Sequence, residues 1–114
     1  MNAFSRFAAS AALAACAFAA VQPAQAITVR NCTGDVIRVN IYNNDDALRV
    51  IPKAGGKIGP GAVAGGNTGA PRAFVKVFKG GVVDQFRTER GGLADSGYFS
   101  VTRNYQIVPG NACN

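Results

Sequence analysis

The stretch that decides the fold consists of two short runs joined at Thr33-Gly34-Asp35: Ile27-Thr28-Val29-Arg30-Asn31-Cys32 and Val36-Ile37-Arg38-Val39-Asn40-Ile41-Tyr42. In both runs apolar, mostly β-branched side chains alternate with polar ones. A period of two residues is typical of a strand that is buried on one face only. Residues 27–42 are therefore predicted to form two β-strands.

The register of these two runs can be tested against their alternation. If Thr33-Gly34-Asp35 forms a three-residue hairpin loop, Val29 lies opposite Val39, Ile27 lies opposite Ile41, and one continuous apolar face results. A two-residue loop would place Val29 opposite Arg38 and mix the two faces, which is costly when one face is buried. We therefore expect a hairpin with the longer loop. A sandwich in which the two runs lie in opposite sheets is the alternative.

Residues 1–26 have the layout of a secretory signal. Arg6 precedes an apolar run over residues 7–21, which Gln22-Pro23 breaks, and Ala24-Gln25-Ala26 offers small residues at a cleavage site. We predict cleavage after Ala26, a secreted or periplasmic location, and a single β domain over residues 27–114 with no transmembrane span. Leu13-Ala14-Ala15-Cys16 also resembles a lipobox, and a lipoprotein acylated at Cys16 is the minor alternative.

The cysteines predict how this domain is held together. Cys32 ends the first run and Cys113 is the penultimate residue. Once residues 1–26 are removed, these two remain, and an exported chain lies in a compartment that permits disulfides. A bridge between Cys32 and Cys113 would join the two ends of the domain.

The rest of the chain continues in short β segments. Residues 43–46 have the composition of a turn, residues 47–51 are predicted to form a third strand, and the glycine-dense segment 53–71 is predicted to be loop with one short strand near Val63. Gly80-Gly81 separates two strands over 73–79 and 82–88, a strong hairpin pattern, and the last strands are expected over 98–103 and 105–108. The predicted fold is an all-β, small antiparallel β-sandwich or barrel of six to eight short strands.

The composition argues against most catalytic chemistry. The chain has no His, so a histidine base and histidine metal ligands are excluded. Bridged cysteines provide no thiolate, and the carboxylates Asp84, Glu89 and Asp95 are scattered over a hairpin and a loop. Asp45 and Asp46 match no calcium loop. We therefore expect no enzyme activity, no cofactor and no metal site.

The remaining signal is basic charge. Removing residues 1–26 takes Arg6 from the 12 basic residues, which leaves 11 basic and 6 acidic residues and a formal charge of +5. Such an excess favours an anionic partner, here an envelope component or another protein, and we do not expect nucleic acid. The candidate contacts lie in three places: on the polar side of the first two runs, around the glycine-dense segment, and in the predicted strand 73–79, which contains two phenylalanines. They are Arg30, Arg38, Lys53, Lys57, Arg72, Lys76 and Lys79.

Residues 27–32 resemble the first strand of thaumatin-like proteins, a β-rich family with many disulfides. The resemblance covers six residues and implies no shared site. The sequence thus predicts an exported, non-enzymatic binding module whose ligand is unknown. The alternatives are a basic protein that acts on the envelope or a membrane, such as an antimicrobial or toxin-like factor, and a secreted enzyme inhibitor.

Overall fold

The computed structural model describes residues 26–113, and within this range every regular element is a β-strand. The predicted signal segment, its cleavage and the acylation of Cys16 concern residues that lie outside the described part, apart from Ala26. None of the described residues belongs to a helix that could span a membrane. The strands are β1 (Ile27–Asn31), β2 (Ile37–Asn43), β3 (Ala54–Ile58), β4 (Val63–Gly66), β5 (Arg72–Lys79), β6 (Gln85–Ala94), β7 (Tyr98–Val101) and β8 (Ile107–Pro109).

These eight strands form two four-stranded sheets. The prediction of an all-β fold with six to eight strands is confirmed. Sheet one has the order β4-β1-β7-β8, and sheet two has the order β3-β2-β5-β6. Sheet two is antiparallel throughout. In sheet one, however, β1 and β7 run parallel, with Val29 beside Phe99. A parallel pair is possible because the chain passes through the whole of sheet two between these strands.

The prediction that residues 27–42 form a hairpin is wrong. The alternative, in which the two runs lie in opposite sheets of a sandwich, is the arrangement observed. β1 pairs with β4 and β7, whereas β2 pairs with β3 and β5. The apolar residues of β1 and β2 are fully buried, as the alternation predicts. They belong to one core, but they contribute to it from two sheets rather than from one. Alternation determines which face is buried and leaves the pairing partner open.

The corner between the sheets is built by a buried amide. The Asn31 side chain accepts hydrogen bonds from the backbone N–H (2.9 Å) and the hydroxyl (2.6 Å) of Thr33. Its Nδ2 donates to the carbonyl oxygens of Asp35 (2.7 Å) and Ile58 (3.3 Å). Because Asn31 and Thr33 are both buried, these bonds satisfy polar groups that would otherwise be costly, and they turn the chain out of sheet one.

The segment after β2 also differs from the prediction. Residues 47–51 form no strand, and the third strand instead occupies residues 54–58 of the glycine-dense segment, followed by β4. Glycine makes this possible at Gly55, whose φ is +114° and where a Cβ would collide with the carbonyl oxygen of Val39. β3 and β4 lie next to each other and close one side of the sandwich.

The Gly80-Gly81 hairpin is present, with a longer connection than predicted. β5 and β6 are antiparallel partners, but β6 begins at Gln85, so Val82 and Val83 lie exposed in the connection. β6 then extends to Ala94, beyond the predicted end of this strand at residue 88, and it buries Leu93.

The core lies between the inner faces of the two sheets. Its fully buried side chains are Ile27, Val29, Ile37, Val39, Ile41, Ala73, Val75, Val77 and Val101. The predicted disulfide is present: Cys32 and Cys113 are bonded, with their Cα atoms 5.3 Å apart across 81 positions of sequence. It ties the C-terminal segment to the end of β1, next to the corner that Asn31 forms.

Candidate functional site

The outer face of sheet two carries cationic and aromatic side chains, which alternate along the strands with residues of the core. In β5, Ala73, Val75 and Val77 point inward, so Phe74, Lys76 and Phe78 point out of the sandwich. The register places Tyr42 beside Phe74, Asn40 beside Lys76 and Arg38 beside Phe78, and Arg38 in turn lies beside Lys57 of β3. On the other side of β5, Phe86 lies beside Phe78 and Glu89 beside Lys76.

We call this surface the cationic face and define it by seven residues: Arg38, Lys53, Lys57, Lys76, Phe74, Phe78 and Phe86.

The aromatic rings on this face are partly open to solvent. Phe78 and Phe86 meet edge to face with ring centroids 5.7 Å apart, and Phe86 is 53% exposed. The Lys76 ammonium lies 5.6 Å from the centroid of the buried Tyr42 ring. Rings and cations at these distances attract each other, and they also provide a flat apolar contact beside positive charge.

One carboxylate organises two of the cations. Asp84 accepts a hydrogen bond from Nε of Arg38 at 2.8 Å, and Nζ of Lys57 lies 3.3 Å from its other oxygen. The hydrogen bond from Arg38 is the main reason why the pKa of Asp84 is lowered from 3.8, with smaller contributions from Lys57 opposing the desolvation of the carboxylate. Asp84 therefore stays ionised and holds Arg38 and Lys57 in place at one end of the face.

A shallow groove crosses the cationic face where β3 lacks side chains. It has a volume of about 280 Å³ and is lined by Arg38, Asn40, Pro52, Lys53, Ala54, Gly55 and Gly56. Because Gly55, which pairs with Asn40, has no side chain, the groove floor is backbone there, and the polar wall of the groove is Arg38, Asn40 and Lys53. Arg38 and Lys53 are donors only, which suits an anionic ligand group, and the Asn40 amide donates to the Tyr42 hydroxyl at 3.3 Å.

The structure brings together four of the seven cations predicted from the sequence. Arg38, Lys53, Lys57 and Lys76 belong to the cationic face, and Lys79 lies at the end of β5 beside it. Arg72 lies at the opposite end of β5 and donates to the carbonyl oxygen of Gly92.

Arg30 does not join this group. It projects from the outer face of sheet one, where Nε donates to Asn111 (3.0 Å) and Nη1 donates to the carbonyl oxygen of Gly61 (2.6 Å). These bonds hold the C-terminal segment against the sheet, so Arg30 has a structural contact where the sequence suggested a ligand contact.

Several residues of this face were missed by the sequence reasoning. Phe74 and Phe78 had a signal, because they alternate with core valines and should have been placed on the solvent side. Asp84 and Phe86 had none, since their position depends on where β6 begins. Arg49 was placed in a strand, yet its guanidinium lies over the Phe74 ring, 3.9 Å from the centroid.

A second cleft, of about 530 Å³, lies beside the disulfide. Its lining contains Cys32, Cys113, Ser100, Thr102, Arg103 and Asn104. The Ser100 hydroxyl is engaged, because it donates to the carbonyl oxygen of Gly110 at 2.7 Å. Arg103 is the one charged residue in this lining. The cleft therefore offers less to an anionic ligand than the cationic face does.

Residues 26–113 bring no three acidic or thiol side chains together in a way that could hold a metal ion. The acidic residues Asp84 and Glu89 lie on the cationic face, while Asp95 is buried and accepts a hydrogen bond from the Thr68 hydroxyl at 2.8 Å. Asp95 thus lies apart from Asp84 and Glu89, and the three carboxyls do not converge on one site.

Comparison of the whole chain with protein-family models, with curated proteins and with solved structures finds no match in any of the three.

Proposed function

We propose that the protein is an exported, non-enzymatic binding module that holds an anionic ligand on its cationic face. The observation that carries the proposal is the convergence of Arg38, Lys53, Lys57 and Lys76 on one solvent-facing sheet surface, interleaved with partly exposed phenylalanines. Two carboxylates, Asp84 and Glu89, lie among these four cations, so positive charge remains in excess.

The chemistry of this surface suits binding better than catalysis. Lysine ammonium and arginine guanidinium groups bind carboxylate, sulfate or phosphate by charge-assisted hydrogen bonds. Catalysis would also need a general base or nucleophile within reach of the bound group. Here Asp84 is paired with Arg38 and Lys57, and Glu89 lies beside Lys76 in the strand register, outside the lining of the groove. A hydrolase activity that stays with the protein through purification would overturn the non-enzymatic part of the proposal.

Binding can be measured on immobilised heparin, a sulfated polysaccharide that serves as a general anionic probe. The double variant Lys53→Gln/Lys76→Gln removes two cations from the face and should elute at clearly lower salt than the wild type. The control Arg87→Gln/Arg103→Gln removes the same charge from positions outside the cationic face, over Tyr105 and in the cleft beside the disulfide, and should elute nearly unchanged. Equal shifts for the two variants would show that only net charge matters and would overturn the assigned site.

We infer export from the signal-like layout of residues 1–26, and the Cys32–Cys113 disulfide agrees with an oxidising compartment. Intact mass of the protein purified from its native host tests this. Cleavage after Ala26 gives a mature chain that begins at Ile27, whereas a chain that begins at an acylated Cys16 would support the lipoprotein alternative. An uncleaved chain would contradict both.

A further inference from the structure

The segment between β2 and β3, residues 44–53, reverses the usual distribution of polar and apolar side chains. We call it the apolar loop. Three of its large aliphatic side chains face solvent: Leu48 is 79% exposed, Val50 69% and Ile51 73%. Arg49, in contrast, is turned inward onto the Phe74 ring, and its Nη2 donates to the carbonyl oxygen of Asn44 at 3.0 Å.

This exposure is built into the loop by specific hydrogen bonds. The Asp46 carboxylate accepts from the backbone N–H groups of Leu48 (3.2 Å) and Arg49 (3.4 Å). The N–H of Asp46 donates to Asn43, and the N–H of Lys53 donates to Ile41 at 2.8 Å. Arg49 also has a left-handed backbone, with φ of +46°, which an L residue adopts at some cost. The loop is thus held in a shape that keeps its apolar side chains out of the core.

The apolar loop lies over the cationic face. Arg49 covers Phe74, whose side chain projects from that face, and Pro52 and Lys53 form one wall of the groove that contains Arg38. At the other end of the same sheet, Val82 and Val83 are exposed in the β5–β6 connection. Aliphatic groups therefore protrude at both ends of a surface whose middle is cationic.

We propose that this surface docks onto an anionic lipid bilayer. Leu48, Val50 and Ile51 enter the interface between headgroups and acyl chains, and Lys53, Arg38, Lys57 and Lys76 meet the headgroup phosphates. The inference rests on the proposed function, because it names the partner of the same cationic face.

Two features favour a bilayer over a protein partner. The protruding groups are aliphatic, whereas the side chains that dominate protein interfaces are Trp, Tyr and Arg. Interfacial membrane binding combines buried aliphatic area with cations near anionic lipid, which is the arrangement of this surface.

The test uses co-flotation of the protein with mixed phosphatidylcholine–phosphatidylglycerol vesicles and with pure phosphatidylcholine vesicles. The wild type should float with the mixed vesicles and much less with the pure ones. The variant Leu48→Ser/Ile51→Ser should bind the mixed vesicles about tenfold or more weakly, since each side chain loses much of its transfer into the interface. The control Val63→Ser/Tyr98→Ser changes two exposed apolar residues on the outer face of sheet one and should bind like the wild type.

The outcomes separate this inference from the proposed function. If the wild type fails to float but Lys53→Gln/Lys76→Gln still weakens heparin binding, the lipid inference is overturned and the binding face stands. If neither probe responds, both are overturned. If Leu48→Ser/Ile51→Ser instead removes a dimer seen by analytical ultracentrifugation and leaves flotation unchanged, a second copy of the chain covers the loop and the lipid inference is wrong.

Discussion

The Tyr105 side chain is partly buried against the core and forms a hydrogen bond through its hydroxyl. Its hydroxyl donates to Oδ2 of Asp35 at 2.7 Å, and the guanidinium of Arg87 lies 5.0 Å from its ring centroid. Desolvation of the ring hydroxyl and then the hydrogen bond to Asp35 raise the pKa of Tyr105 from 10.0. The neutral tyrosine is therefore the form that the fold stabilises.

This pKa shift predicts an alkaline loss of stability. A raised pKa means that the contribution of Tyr105 is complete below the unfolded value near 10.0 and is lost as pH rises through the folded value. Tyr105→Phe should cost about 1 kcal/mol at neutral pH, because Asp35 loses its donor. Urea unfolding across the alkaline range should then show a shallower decline for the variant than for the wild type. Parallel declines would contradict the assignment.

Gly55 is a position at which the backbone leaves no room for a side chain. Its φ of +114° and the collision of a Cβ with the carbonyl oxygen of Val39 predict that Gly55→Ala destabilises the fold by about 2 kcal/mol or more. Gly34→Ala is the control, because a Cβ there meets no atom within 4 Å. Thermal unfolding of both variants measures the difference, and similar melting temperatures would refute the argument.

At the scale of elements, the β5–β6 connection is attached to its neighbours through Asp84. The carboxylate joins this connection to β2 through Arg38 and to β3 through Lys57. Since three elements meet at one charge, the connection should loosen when that charge is lost.

The lowered pKa of Asp84 sets the pH at which this happens. Its contribution is present above the unfolded value of about 3.8 and is lost as pH falls through the lower folded value. Asp84→Asn should therefore accelerate amide exchange over residues 80–84 at neutral pH and abolish the acid-induced loss of protection that is expected for the wild type. Asp45→Asn, in an exposed turn, is the matched control. Unchanged exchange in Asp84→Asn would contradict the role of this carboxylate.

The two opening strands show what an alternating pattern can and cannot predict. The buried positions Ile27, Val29, Ile37, Val39 and Ile41 were all identified correctly from their alternation. Their partners were not, because a three-residue loop fits both a hairpin and a corner between sheets. The corner forms since the Asn31 amide binds Thr33, Asp35 and the carbonyl oxygen of Ile58, which lies 27 positions away in the chain. A contact between residues so far apart in the chain cannot be predicted from a local sequence pattern.

Residues 47–51 were predicted to form a strand that the structure does not contain. Leu48, Val50 and Ile51 have strand-forming composition, yet no strand forms, because β2 already has partners on both edges in β3 and β5. The glycine-dense segment supplies β3 instead. Local propensity is overridden by which segment fits against the sheet edge.

At the scale of the whole molecule, the Cys32–Cys113 bond closes nearly the entire domain into one loop. In the chain-entropy model a loop of about 80 residues constrains the unfolded chain by roughly 4–5 kcal/mol, which is comparable to the net stability of a small domain. Cys32→Ser/Cys113→Ser should therefore unfold at much lower denaturant concentration than the oxidised wild type. The reduced wild type should match the variant, and a reduced protein as stable as the oxidised one would refute the prediction.

The sequence by itself determined the class of the fold, the identity of most core residues and the disulfide. Period-two alternation follows from the geometry of a strand, and the two cysteines of residues 27–114 allow one bond, so these features need no knowledge of distant contacts. It also identified the cations from which the candidate site is built.

Only the tertiary structure decided how the strands are divided between sheets, and hence which cations share a surface. Arg30 and Arg38 occupy equivalent polar positions in the first two runs, but they lie on opposite outer faces because β1 and β2 belong to different sheets. The exposure of Leu48, Val50 and Ile51 likewise depends on Arg49 reaching Phe74, 25 positions later in the chain. Pairing and packing between distant segments set these positions, and local patterns carry no information about them.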